Sequence, residues 1–264
     1  MLGFVWGGNF GWAAPETDEY RLNSAYFRKF GMDFREAIFS PVHWHGRDFA
    51  RLAAFSGAGL LLFAFDQEIQ DRFQENRSSS SADVASVFSS FGNGGYLLGF
   101  SAVLYALGEI GRSDGLRKTA LLSVESLAAA TFFVWTAKFI VGRARPFTGE
   151  SSRVFRPLSL KSGYWSMPSG HAASAFAVAA TIAGQSRSTA VDILAYSLAA
   201  LAGLSRIHDN KHWASDVFLG SAVGYFAARK IAALNRPEKA GGVTLGFEFQ
   251  AVGGRQALTL SLGF

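Results

Sequence analysis

Six apolar stretches of helical character, near 48–65, 96–111, 118–141, 171–185, 189–204 and 213–233, constrain the fold of this chain more than any other feature. They predict an all-α fold, a helical bundle of about six core helices. Most are shorter than the ~20 residues of a clean membrane span, but the third is long enough. Small residues crowd the set, as in Ala128-Ala129-Ala130 and Ala172-Ala173-Ser174-Ala175, which suits close helix packing in lipid. A membrane-embedded bundle is therefore expected, although a soluble bundle would show the same alanines. Glu125 lies inside the third stretch, and an ionisable group at that depth is expected to face the bundle rather than lipid.

Three short segments at the ends of these stretches carry the chemistry. Lys138 is followed seven residues later by Arg145-Pro146. The two cations fall on nearly one face if the helix continues, and Pro146 ends it because the residue before proline disfavours the α region. A guanidinium makes paired hydrogen bonds to phosphoryl oxygens, and an ammonium adds a compact charge. Read alone, the pair is equally an ordinary interfacial basic cluster. Pro168-Ser169-Gly170-His171 precedes an apolar run, so Ser169 is a candidate N-cap and the amides after it form an anion site, with Gly170 allowing close approach. Its bland reading is a capped helix with a histidine in its first turn. In Ser205-Arg206 with His212 and Asp216, a four-residue spacing lets a carboxylate orient an imidazole whose other nitrogen is free to attack, while Arg206 adds a third cation. In an up-down bundle these segments meet at one end.

Taken together, K-x6-R-P, P-S-G-H and S-R-x5-H-x3-D resemble the type 2 phosphatidic acid phosphatase superfamily, which also includes bacterial class A acid phosphatases and vanadium haloperoxidases. The motifs run from Lys138 to Asp216. The resemblance implies that His212 forms a phosphohistidine, that Asp216 orients it, and that His171 protonates the leaving oxygen and then activates water. Lys138, Arg145, Arg206, Ser169 and the Gly170 amide would hold the phosphoryl oxygens. No metal or other cofactor is implied, because three cations and a helix end take that part; the chain has no Cys, and no compact Asp/Glu/His cluster shows clear metal spacing. His208 is an extra histidine in the third motif, expected at the surface.

At 264 residues, 49% apolar and 14% aromatic, the chain can bury one good core. A net charge of +5 and a pI near 9.6 would suit nucleic acid, but no aromatic-basic RNA motif or helix-turn-helix accompanies them, so membrane surface and an anionic substrate explain the charge better. The expected division is an N-terminal interfacial segment over 1–47, the bundle domain over 48–236 and a C-terminal tail over 237–264. In that tail, period-two alternation on either side of Gly253-Gly254 predicts a small β-hairpin. Residues 66–95 read as an interfacial helix, a serine-rich turn, a second short helix and a glycine loop. The 147–167 loop reads as a cap over the entrance. Residues 1–14 lack a basic n-region and a clear cleavage site, so no signal peptide is assigned, and His43-Trp44-His45 reads as an aromatic interfacial stretch rather than a metal site.

Basic residues in the linkers 112–118 and 185–188 and after the last helix favour the cytoplasm for the end opposite the motifs. The expectation is a multi-pass inner-membrane protein with its site facing the periplasm or extracellular side. Its function would be metal-independent hydrolysis of lipid phosphate or pyrophosphate esters, with lipid phosphate and membrane lipids as partners, no nucleic acid, and an unassigned oligomeric state. The rivals are a soluble periplasmic acid phosphatase, a vanadium-dependent haloperoxidase, and a non-catalytic phospholipid-binding protein.

Overall fold

A computed structural model describes residues 20–236 in full and the backbone of 244–252 and 255–263. The N-terminal residues 1–14 lie outside the described residues. Among those described there are eight α-helices: α1 (Ser24–Phe39), α2 (Gly46–Glu75), α3 (Ser79–Ser90), α4 (Gly94–Ile110), α5 (Asp114–Val141), α6 (Gly170–Gln185), α7 (Thr189–His208) and α8 (Ala214–Leu234). The chain divides into two units, 1–232 and 233–264. In the second, β1 (Thr244–Val252) and β2 (Arg255–Gly263) pair antiparallel, with Phe247 opposite Leu260 and Phe249 opposite Leu258.

The six apolar stretches correspond to α2 and α4 to α8; α1 and α3 are additional. Helix α2 continues ten residues past position 65, where Asp66 breaks the apolar pattern. One face of this extension meets partners instead of water: the Gln70 amide donates to the Ile207 carbonyl (3.2 Å) and to Asn210 Oδ1 (2.8 Å), and Gln74 donates to the His208 carbonyl (3.2 Å). The serine-rich stretch opens α3 rather than forming a separate turn. Ser78 is its N-cap, accepting from the Ser81 amide at 3.1 Å, so the next serines lie in the first helical turn.

The core joins Tyr26 and Ala37 of α1 to Leu121, Leu122, Ala129 and Ala130 of α5, Ala177 of α6, and Ala227 and Ile231 of α8. Glu125 is 2% exposed and faces Tyr26 and Asp33 of α1, inside the bundle as its position in an apolar run requires. Helices α6 and α8 approach at backbone distance. A Cβ on Gly220 would stand 2.3 Å from the Ser169 carbonyl oxygen, and one on Gly224 would stand 2.1 Å from that of Ala173. This small-xxx-small contact fixes the start of α6 against the start of α8.

Four helices, α2, α5, α7 and α8, are long and apolar enough to cross a membrane, and α4 is a shorter apolar helix. Helix α2 turns Phe49, Leu52, Leu60, Leu61 and Phe65 outward, and α4 does the same with Leu98, Phe100, Val103 and Leu107. Apolar surface on this scale suits contact with hydrocarbon.

Candidate active site

Helix α5 ends with Lys138 in its last turn, and Gly142 caps it in the left-handed region at φ 59°. A Cβ there would lie 1.8 Å from the Arg156 carbonyl oxygen, so only glycine lets the chain turn inward at this point. Arg145 accordingly leaves the helix: its backbone is extended and its amide donates to the Gly163 carbonyl at 2.8 Å. The expectation of two cations on one continuous helical face is thus corrected. The loop brings them together instead, since Lys138 Nζ donates to the Trp165 carbonyl at 2.5 Å and Arg145 donates to the same oxygen at 3.3 Å.

Ser169 is the N-cap of α6 and accepts from the Ala172 amide at 3.5 Å, while its own amide donates to the Asp216 carbonyl at 2.8 Å. Gly170 has only Val134 within reach of a Cβ, at 3.8 Å, so packing inside the protein does not demand a glycine there. His171 occupies the first turn of α6. Behind it lies the α3–α4 turn, where a Cβ on Gly92 would come within 2.9 Å of the histidine's own Cβ and carbonyl oxygen.

Arg206 ends α7, and its guanidinium donates to Ser89 Oγ (2.6 Å) and Asp209 Oδ2 (3.1 Å). Its carbonyl accepts the His212 amide at 3.2 Å. His212 therefore sits in the turn before α8 rather than on the helix. It is 3% exposed, and its Nδ1 faces Asp216 Oδ2 at 3.7 Å, aligned with the carboxylate but longer than a hydrogen bond. Asp216 already accepts from Ser166 Oγ (2.5 Å) and the Trp213 amide (3.0 Å) on one oxygen and from Arg143 (2.7 Å) on the other.

Burial is the first cause that holds His212 down to about 3, with Lys138 and Arg145 adding to it against the opposing pull of Asp216. His171 is pushed down to about 4 by burial, then by Arg206, Arg145 and Lys138. Arg145 is lowered by burial and then by Arg206, yet a guanidinium stays charged. Both imidazoles are thus neutral at neutral pH, and His212 keeps a free lone pair. The same three cations that disfavour imidazolium are the ones that favour a bound anion. The Nε atoms of Arg145 and Arg206 and Nδ1 of His212 are buried without a hydrogen-bond partner.

All eight residues singled out in the sequence therefore lie at one end of the bundle. His208 differs from expectation: its side chain is only 12% exposed, and Nε2 stands 2.9 Å from Ser81 Oγ. Asp66, Arg143, Ser166, Asp209 and Ser215 escaped the sequence reading. Only Asp66 left a signal, as a charge interrupting an apolar helix; Arg143 was hidden among neighbouring cations. Among the described residues, no group of three or more His, Asp or Glu is placed to hold a metal ion. A polar cavity of about 350 Å³ opens beside Arg206, lined by Arg77, Ser86, Ser89, Ser90, Asn93 and Asp209 among others.

Fold and site together define a class: a helical protein with helices of spanning length and, at one end, a half-buried cluster of three cations and two imidazoles. Residues 119–238 match the family model of the PAP2 superfamily. A lipid A 1-phosphatase of Porphyromonas gingivalis is 36% identical over 116 residues, 43% of this chain and 23% of the relative, so the chain spans under a quarter of that curated protein. Two crystal structures share the fold at 21% identity. LpxE of Aquifex aeolicus gives a TM-score of 0.52 over 64% of this chain and 95% of its own. A transmembrane PAP2-type phosphatidylglycerolphosphate phosphatase of Bacillus subtilis gives 0.57 over 72% and 98%. With four helices long and apolar enough to cross a membrane, the described residues have the makeup of a membrane protein.

Proposed function

We propose that this protein hydrolyses the phosphate or pyrophosphate esters of lipids, without a metal, through a phosphohistidine on His212. The observation that carries the reading is the meeting of Lys138 and Arg145 on the Trp165 carbonyl beside the start of α6, with His212 held to Arg206 through its amide and backed by Asp216. One phosphoryl group held by these cations, the Ser169 cap and the Gly170 amide lies between two imidazoles in different roles. His212 Nε2 attacks phosphorus, a P–N bond forms, and the P–O bond to the lipid breaks. His171 delivers a proton to the departing oxygen. It then takes a proton from water as that water attacks phosphorus, and the P–N bond breaks with its electron pair returning to His212. Substrate charge between the cations raises the proton affinity of His171, which is what a donor needs at this step.

The lipid assignment rests on the apolar exterior of the helices and on the polar cavity beside Arg206, which gives a headgroup a place to lie while its chains stay in the bilayer. Keeping the chains there avoids about 0.8 kcal/mol per methylene exposed to water. In mixed micelles, one lipid monophosphate and one lipid diphosphate are expected to be turned over at least about tenfold more efficiently than a soluble sugar phosphate at matched concentration. Equal efficiency would favour a broad acid phosphatase instead.

We place the protein in the inner membrane with its site outside the cytoplasm. Arg112, Arg187, Arg229 and Lys230, away from the site, support this orientation. Arg117 does not, because it is fully buried and paired with Asp114 and Glu109. Because the chain has no native thiol, Ser151→Cys in the exposed loop near the site and Ser188→Cys at the opposite end can be compared directly. An impermeant thiol reagent on intact cells is expected to label the first and spare the second; the reverse would overturn the orientation.

A further inference from the structure

Behind Asp216 lies a second, fully buried layer of charge that the reaction scheme does not use. Arg143 reaches it from the loop after α5, with NH1 donating to Asp216 Oδ1 and NH2 to Asp66 Oδ2, both at 2.7 Å. Its Nε donates to the Ser152 carbonyl at 2.9 Å. Asp66, from α2, also accepts the Ser215 amide (2.8 Å) and the Ser215 hydroxyl (2.5 Å), and that hydroxyl accepts from Arg143 at 2.8 Å. The side chains of Asp66, Arg143 and Asp216 are all 0% exposed. Phe63, Phe155 and Trp213 surround the guanidinium at 4.6, 5.8 and 5.5 Å, which keeps the local dielectric low.

Two carboxylates and one guanidinium leave this cluster with one net negative charge. Without Asp66, Arg143 would neutralise Asp216, and the side facing His212 would lose its counter-charge. The Ser215 amide and hydroxyl could be met by a neutral oxygen, so Arg143, which donates to Oδ2 of Asp66, is the partner that a charge at position 66 answers. A charge inside an apolar helix of spanning length is costly, and such charges are retained where they serve a site. We propose that Asp66 is a positioning residue of the phosphoryl-transfer site, whose charge offsets Arg143 so that Asp216 keeps a net negative charge facing His212. This inference rests on the proposed phosphatase reading.

The electrostatic role separates cleanly from a scaffolding one. Asp66→Asn keeps the size, removes the charge and turns one acceptor into a donor, and it is expected to lower kcat by about 10- to 100-fold with KM within about threefold, because Asp66 touches no substrate; the double variant that follows also replaces the Arg143 donors facing that amide. The double variant Asp66→Asn/Arg143→Gln restores one net negative charge and is expected to recover at least about fivefold of the kcat lost in the single variant. A purely structural role makes the double variant as poor as the single or poorer. Wild-type turnover by Asp66→Asn, or a double variant no better than the single, overturns the inference. If Asp66→Asn does not accumulate as folded protein, the double variant still decides: kcat within about tenfold of wild type supports charge balance, and a loss of about a thousandfold or more refutes it. These comparisons are made against active wild-type protein in micelles; an inactive wild type would instead defeat the phosphatase reading itself.

Discussion

His212→Ala is expected to abolish turnover, with phosphate release from a lipid phosphate falling by about 10⁴-fold or more, because no other side chain offers a neutral buried imidazole behind the phosphoryl group. Burial and two neighbouring cations keep that imidazole unprotonated, so its lone pair is ready without prior loss of a proton. His171→Ala should be slower by about 10² to 10⁴-fold, the usual worth of a positioned proton donor and acceptor. The difference between the two is informative. A good leaving group should rescue the phosphorylation step of His171→Ala, though not the later attack by water, and should rescue neither step in His212→Ala, which lacks the bond-forming atom. Normal turnover by His212→Ala would remove the nucleophile from the scheme.

A large effect on folding is expected at Gly224, where two helices meet. A methyl group there would meet the Ala173 carbonyl oxygen at 2.1 Å, and that atom belongs to a helix backbone that cannot rotate away. Gly224→Ala must push α8 from α6, at a cost of about 1–3 kcal/mol, or a Tm lower by about 2–12 °C for a chain of this size. Since α6 carries Ser169 and His171 while α8 carries Asp216, the same displacement should reduce kcat by about tenfold. Gly184→Ala on α6 is the internal control, because nothing lies within 4 Å of a Cβ there; it should be neutral or slightly stabilising through helix propensity. Thermal melts of the two variants in detergent check the contrast. Equal melting temperatures would mean that the close α6–α8 approach contributes nothing.

The helices were legible because apolar runs and caps are local signals, and Ser169 at the head of α6 is such a case. That eight particular residues would gather at one end of the bundle was legible because their types and spacing recur in one motif set. Position within the fold was less so. Arg145 falls seven residues from Lys138, a helical spacing, yet Gly142 ends the helix and the loop restores the meeting by another route. The length of α2 was missed because Asp66, Gln70 and Gln74 look like an interfacial face in sequence, and their partners come from distant segments: α7, α8, the loop between them and Arg143 after α5. Arg143 could not be told from its neighbours, since its importance lies in Asp66, seventy-seven residues away in sequence. His208 was misplaced at the surface for the same reason, its partner Ser81 being on α3.

Capturing the phosphorylated protein tests the account most directly. The measurement uses a lipid diphosphate labelled in its terminal phosphate, whose departing group needs little help from a proton donor, with the reaction stopped in alkali in the presence of a chelator. The label should appear on the peptide containing His212, should be lost on mild acid treatment as a phosphoramidate is, and should accumulate further in His171→Ala, where attack by water is slowed. Label on any other residue, no label in a His171→Ala protein that still releases phosphate, or turnover that ceases in chelator and returns with a divalent ion would contradict it.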